Sequence, residues 1–219
     1  MFASITKKQI VAFTGLALII FIITHLAGNL WIYAGSAAFN SYAKKMAGLR
    51  PFLNFAEAGL LIIFLIHTLV TAMLVIENIR ARGGVMRYAV DRPVGERSWG
   101  TRLMPYSGTY ILLFVIWHLL DFTFANPHGP RSYINHVSYG LYGVVVNAFA
   151  DPTHSILYII AMCFLGLHLS HGVDSFLQTL GWRNSKHVSG IKLFSQWFAL
   201  LIVIGYSSIP VYVLFVLTR

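Results

Sequence analysis

The stretch FIITHLAGNLWIY, Phe21–Tyr33, carries one imidazole, His25, inside an otherwise greasy run. The apolar run extends back to Ile10. A bilayer core is about 30 Å thick, so a helix rising about 1.5 Å per residue needs about 20 apolar residues to cross it. Ile10–Tyr33 meets that length, and four further segments do too: Leu53–Ile79, Leu103–Phe124, Thr153–Leu177 and Ile191–Leu217. The whole chain agrees: 57% of its 219 residues are hydrophobic, 11% are charged, and mean hydropathy is +0.70. These values lie outside the range of soluble domains. The apolar runs are continuous rather than alternating, which excludes a transmembrane β-barrel. The expected fold is an all-α membrane bundle of five helices, a single unit over residues 1–219. The first segment is too long for a signal-peptide core and lacks a small-residue cleavage pattern, so it is expected to be retained.

The net charge of +9 raises the question of nucleic acid, but its distribution answers otherwise. If the N-terminus faces the cytoplasm, one side carries Lys7, Lys8, Arg80, Arg82, Arg87, Arg92, Arg97, Arg102, Arg183, Lys186 and Lys192. The other side carries Lys44, Lys45, Arg50, Arg131 and Arg219. This asymmetry predicts a cytoplasmic N-terminus and an outside C-terminus. The Arg80–Arg102 loop is expected to dock a soluble partner as well. The single cysteine, Cys163, excludes an internal disulfide, a cysteine-ligated cluster and a CxxCH attachment.

Five histidines fall inside the predicted helices: His25, His67, His118, His168 and His171. His128, His136, His154 and His187 fall in loops or at helix ends and need no special account. An ionisable group at membrane depth is expensive and points to function by default. A lone membrane histidine is as readily a hydrogen bond between helices. Four helices each carrying a deep histidine form a pattern. Counted from the inner helix ends, His25 and His118 lie about 21–22 Å deep, and His67 and His168 about 14–16 Å. Two imidazoles at one level, on different helices, can hold a metal from both faces. That suits a haem between helices and does not suit zinc, which takes four ligands at one point. The expectation is two bis-histidine haems b, with pairs His25/His118 and His67/His168 holding the iron.

Gly15, Gly28, Gly59, Gly108 and Gly166 either leave room for a flat macrocycle or serve close helix packing, which uses small residues equally. His171 shares a face with His168, but at about 9 Å it is too shallow to match His67. With Ser175 it is expected to lie behind the ligands, hydrogen-bonding a haem propionate.

The segments HLAGNL at His25, AFNSYA after the first helix, EAGLLIIFLIH ending at His67 and LHLSHGVDSFLQTLGW from His168 resemble the cytochrome b membrane subunit of succinate dehydrogenases and fumarate reductases. The likeness is to the two-haem class with a single five-helix anchor, and it covers essentially the whole chain. The resemblance implies axial ligands on the first four helices, paired one with three and two with four. They fall on His25, His67, His118 and His168. It implies a flavoprotein subunit, an iron–sulfur subunit on the inner face, and membrane lipid and quinone as the anchor's surroundings and substrate. Menaquinone fits two haems better than ubiquinone. A multi-pass protein of a bacterial or archaeal inner (cytoplasmic) membrane follows, with no nucleic-acid partner. No residue here binds dicarboxylate, so that site falls to a partner.

Three rivals remain. The haem anchor of a hydrogenase or formate dehydrogenase would place two ligands on one helix about four turns apart, which no helix here does. A cofactor-free transporter would show internal repeats or helices broken near the midplane, and no convincing repeat is read. A purely structural anchor leaves the histidines unexplained. Electrons entering from the inner face need two haems only if they must reach the outer half. The quinone site is therefore expected near the outer pair. Glu57, about 15 Å outward of His67, is the first proton-exchanging candidate. Asp121, one turn beyond His118, is the second, and Asn29 is a candidate donor to a quinone carbonyl. Each has an ordinary alternative as a helix cap or a propionate ligand.

Overall fold

The structure is a computed structural model and describes residues 4–81, 99–182 and 188–218, with side chains from 103 onward in the second stretch. Among the described residues, five stretches are long and apolar enough to cross a membrane, which is the architecture of a multi-pass membrane protein. Helix α1 (Ser4–Asn29) runs through a 3-10 turn at Leu30–Ala34 into α2 (Gly35–Gly48). Gly35 takes φ +86° at that junction, a conformation that a side chain would strain. Helix α3 is Arg50–Ala81, and α4 is Trp99–His118. A π-helical turn, Leu119–Thr123, continues α4 directly beyond His118. A two-residue hairpin follows, β1 (Tyr133–Ile134) paired antiparallel with β2 (Val137–Ser138). Then come α5 (Gly140–Phe149), α6 (Pro152–Thr179) and α7 (Val188–Tyr212). Pro152 and an Asp151 cap, whose side chain accepts from Thr153 N at 2.9 Å, start α6.

The five expected spans stand, with boundaries moved by a few residues. The chain runs back and forth between two ends, here the near end (start of α1) and the far end. Lys7 in the first turns of α1 pairs with Glu77 near the end of α3, so these helices are antiparallel. Tyr158 of α6 reaches Asp121 beyond α4, so these are antiparallel too. Helix α3 has no buried residue. Its outward side chains include Leu61, Ile62 and Leu69, each more than half exposed, as expected of a surface that faces lipid.

The far end holds most of the fully buried side chains. Ile32, Phe39, Tyr142, Val145, Val146, Phe149, Tyr158, Ile209 and Val213 form one cluster there. Asn40 fastens α2 to this cap by donating to Tyr139 O at 2.7 Å and accepting from Tyr142 N at 3.1 Å. The cap packs so closely that a Cβ on Gly143 would run into the Ser132 carbonyl. A smaller cluster of Leu169, Ala199 and Ile202 joins α6 to α7, with Ile19, Ile22 and Leu26 of α1 against it.

The bundle also contains a repeat. Residues 14–25, TGLALIIFIITH, and 107–118, SGTYILLFVIWH, align without gaps and match at Gly15/Gly108, Phe21/Phe114, Ile23/Ile116 and His25/His118. The likeness is confined to these four identities in twelve positions. Five of its twelve positions pair interchangeable aliphatic residues, and the distinctive matches Gly15/Gly108 and His25/His118 lie near its ends.

Candidate functional site

The repeat places equivalent residues opposite each other. His25 of α1 and His118 of α4 have ring centres 5.8 Å apart, with ring planes at 87°. His67 of α3 and His168 of α6 have ring centres 6.4 Å apart, at 69°. All four rings are partly enclosed. A metal–imidazole bond of about 2 Å puts the centres of two rings that ligate one metal from opposite sides roughly 6 Å apart. Both pairs meet that spacing. Among the described residues, no three His, Cys, Asp or Glu side chains converge to hold an ion. Each pair offers two ligands, which fits a group that brings its own equatorial donors, as a haem does, and does not fit zinc.

The surroundings differ between the pairs. At the His25/His118 pair, Phe21 stacks on His25 with ring centres 5.2 Å apart, and its equivalent Phe114 lies 5.8 Å from His118. Tyr206 of α7 lies 6.2 Å from His25. The buried Nδ1 of His118 has no hydrogen-bond partner among the described residues. At the His67/His168 pair, hydroxyls meet the rings. Thr14 Oγ1 is 3.0 Å from His67 Nδ1, and Ser107 Oγ is 3.4 Å from His168 Nδ1.

These contacts set the levels. Thr14 is level with His67 and eleven residues before His25; Ser107 is level with His168 and eleven before His118. Eleven residues at about 1.5 Å each separate the two pairs by roughly 16 Å along the bundle. Counting depth from helix ends put the same histidines at one level but gave a gap of only about 6 Å. The count fails because antiparallel helices do not end flush with one another.

The glycines divide. A Cβ on Gly15 would lie 3.4 Å from His67 Cε1, and one on Gly108 would lie 3.6 Å from His168 Cε1. These two open onto the histidines. Gly28 instead lies under the Tyr42 hydroxyl, and Gly166 under Val203, so both serve helix packing. Gly59 faces open space.

The remaining expected residues fall as follows. Asn29 donates its side-chain amide to His25 O at 2.8 Å. Glu57 is exposed and pairs with Arg50, one Nη1 lying 3.1 Å from both carboxylate oxygens. Its height, ten residues from His67, is roughly level with the His25/His118 pair. Asp121 is buried. Its Oδ1 accepts from Arg131 Nη2 at 3.2 Å and its Oδ2 from Tyr158 Oη at 2.8 Å. His154 Nε2 lies 2.9 Å from Oδ2, off the direction of a good hydrogen bond. Asp121 therefore fastens the hairpin segment and α6 to the π-turn that follows His118. His154 was set aside in the sequence as a helix-end residue. Its place stacked on Tyr158, at 4.8 Å and 19°, is visible only in the fold. His171 and Ser175 lie on α6 beyond His168, toward the near end, both partly enclosed. Arg82, Arg87, Arg92 and Arg97 of the expected docking loop, and Arg183 and Lys186 of the following turn, lie outside the described residues. Compared with protein-family models, curated proteins and solved structures, the chain gave no match.

Proposed function

We propose that this chain is the membrane anchor and electron-transfer subunit of a succinate:quinone oxidoreductase. The observation that carries the proposal is the facing of histidines across the bundle at two levels, His25 with His118 and His67 with His168. Each pair would hold one haem b, which supplies one-electron transfer at an iron closed to other ligands. The helices do the rest: they keep each pair of rings opposed and exclude water behind an apolar outer face. The internal repeat does not favour a transporter. It ends on the His25/His118 pair and joins helices of the same direction, whereas transporter sites typically lie where helices break near the midplane.

The excess of basic residues at the near end supports a cytoplasmic N-terminus. The flavoprotein and iron–sulfur subunits would then dock at the near end, beside the His67/His168 pair. Quinone, with menaquinone favoured, would react at the far level, where Glu57 is an accessible carboxylate. Asp121 is a weaker candidate there because its carboxylate is already engaged by Arg131 and Tyr158. His171 and Ser175 would meet haem propionates on the near side.

The test is site-selective. His25→Ala or His118→Ala should remove one haem signal and leave the other; His67→Ala or His168→Ala should remove the complementary one. Loss of both signals in every variant, or of neither, would refute the pairing. Purification of the native complex should bring down succinate–dye oxidoreductase activity. Co-purification with hydrogenase or formate dehydrogenase activity would reassign the partner.

A further inference from the structure

The two helices of the repeat each carry a hydroxyl–glycine dipeptide, Thr14-Gly15 and Ser107-Gly108, eleven residues before a histidine. Eleven residues advance a helix by about three turns and return to nearly the same face. Each helix therefore presents a histidine to one level and a hydroxyl to the other. Threonine and serine in membrane helices commonly bond back to a carbonyl three or four residues earlier, and that alone signals nothing. Here the back-bond decides which atom donates next. Thr14 Oγ1 has one proton and donates it to Ile10 O at 2.7 Å. Ser107 Oγ donates its own to Met104 O at 3.2 Å. Toward the histidines both hydroxyls can then only accept. With the hydroxyls accepting, each Nδ1 carries the ring proton, and both Nε2 lone pairs are left for one shared ligand. The adjacent glycines lie beside the rings, where an added Cβ would come into ordinary van der Waals contact with His67 or His168.

We infer that Thr14 and Ser107, with their glycines, are positioning residues that fix the tautomer and orientation of His67 and His168. No such hydroxyl serves His118, whose Nδ1 is unpartnered among the described residues. The positioning is thus specific to the near level. The inference rests on the haem reading above and deepens it. Groups that hold the far nitrogen of a ligating histidine typically change metal affinity by about 10–100-fold when removed.

The experiment compares wild type, Thr14→Val, Thr14→Ser and the double variant Thr14→Val/Ser107→Ala in the full chain. It reads haem content, haem dissociation into apomyoglobin, and the low-temperature electron paramagnetic resonance signal of each site. The double variant should release the near haem about 10–100-fold faster, with a shifted near-site signal. The His25/His118 signal should stay unchanged and serves as the internal control for folding. Thr14→Val alone should have a smaller effect, because Ser107 still meets His168. Thr14→Ser should match wild type. A double variant with wild-type dissociation and signals overturns the inference and leaves the haem reading standing. Loss of both sites together overturns a local role. A wild-type chain without haem overturns the inference and the haem reading at once.

Discussion

Asp121→Ala should destabilise the far end of the bundle by about 1–4 kcal/mol. Truncating one partner of a buried ion pair costs about 3–5 kcal/mol when both groups are enclosed. Asp121 has a side chain only 11% exposed, but Arg131 is 44% exposed, so its share falls toward the roughly 0–1 kcal/mol of a surface pair. The Tyr158 hydroxyl would be left in the core without its acceptor, at about 1–3 kcal/mol. For a chain of this size, each kcal/mol moves the midpoint by about 2–4 °C, so the drop should be roughly 2–16 °C. Asp121→Asn keeps an acceptor for Tyr158 and should cost about half as much. A double-mutant cycle of Asp121→Asn with Tyr158→Phe should show coupling of about 1 kcal/mol. The assay is thermal unfolding in one detergent, followed by circular dichroism and by haem absorbance. An Asp121→Ala midpoint within 2 °C of wild type, taking about 2 °C as the smallest shift a 1 kcal/mol change produces, would refute a structural role. Lost quinone turnover at unchanged stability would return Asp121 to the quinone site.

Three further outcomes are expected. Gly28→Ala drives a methyl into the Tyr42 hydroxyl and should destabilise by about 1–3 kcal/mol, with partial relief in Gly28→Ala/Tyr42→Phe, both read by thermal unfolding. Glu57→Gln should keep both haem spectra and succinate oxidation with a soluble dye, but lose most quinone-linked turnover; unchanged turnover clears Glu57. Charge reversal at several arginines between Arg80 and Arg102 should weaken assembly with the soluble subunits in a salt-dependent way, measured by co-purification at rising ionic strength.

The spans were legible because lipid demands continuous apolar runs, and the pairing of histidines was legible because deep ionisable groups are few. The far-end cap was not. Helix α5 is ten residues long, too short to signal a span, and its burial depends on α2 and the hairpin closing over it. Helix α2, GSAAFNSYAKKMAG, is mostly small and polar, and is held to the cap by Asn40 and Phe39. The two-residue strands are set by the positive φ of Asn135 and His136 rather than by any alternating pattern. Register between helices was the other loss. The roughly 16 Å separation of the two levels comes from side-chain contacts across helices, which no count along one helix contains. The hydroxyl–glycine signal was present in the sequence but had no meaning until its partners on α3 and α6 were known.

The most direct test of the account is the number of haems per intact chain, taken from a pyridine haemochrome assay against quantitative amino-acid analysis of the purified protein. Two facing histidine pairs predict two b-type haems per chain, both low-spin, with no high-spin component from an open iron position. A value of one or none would contradict it.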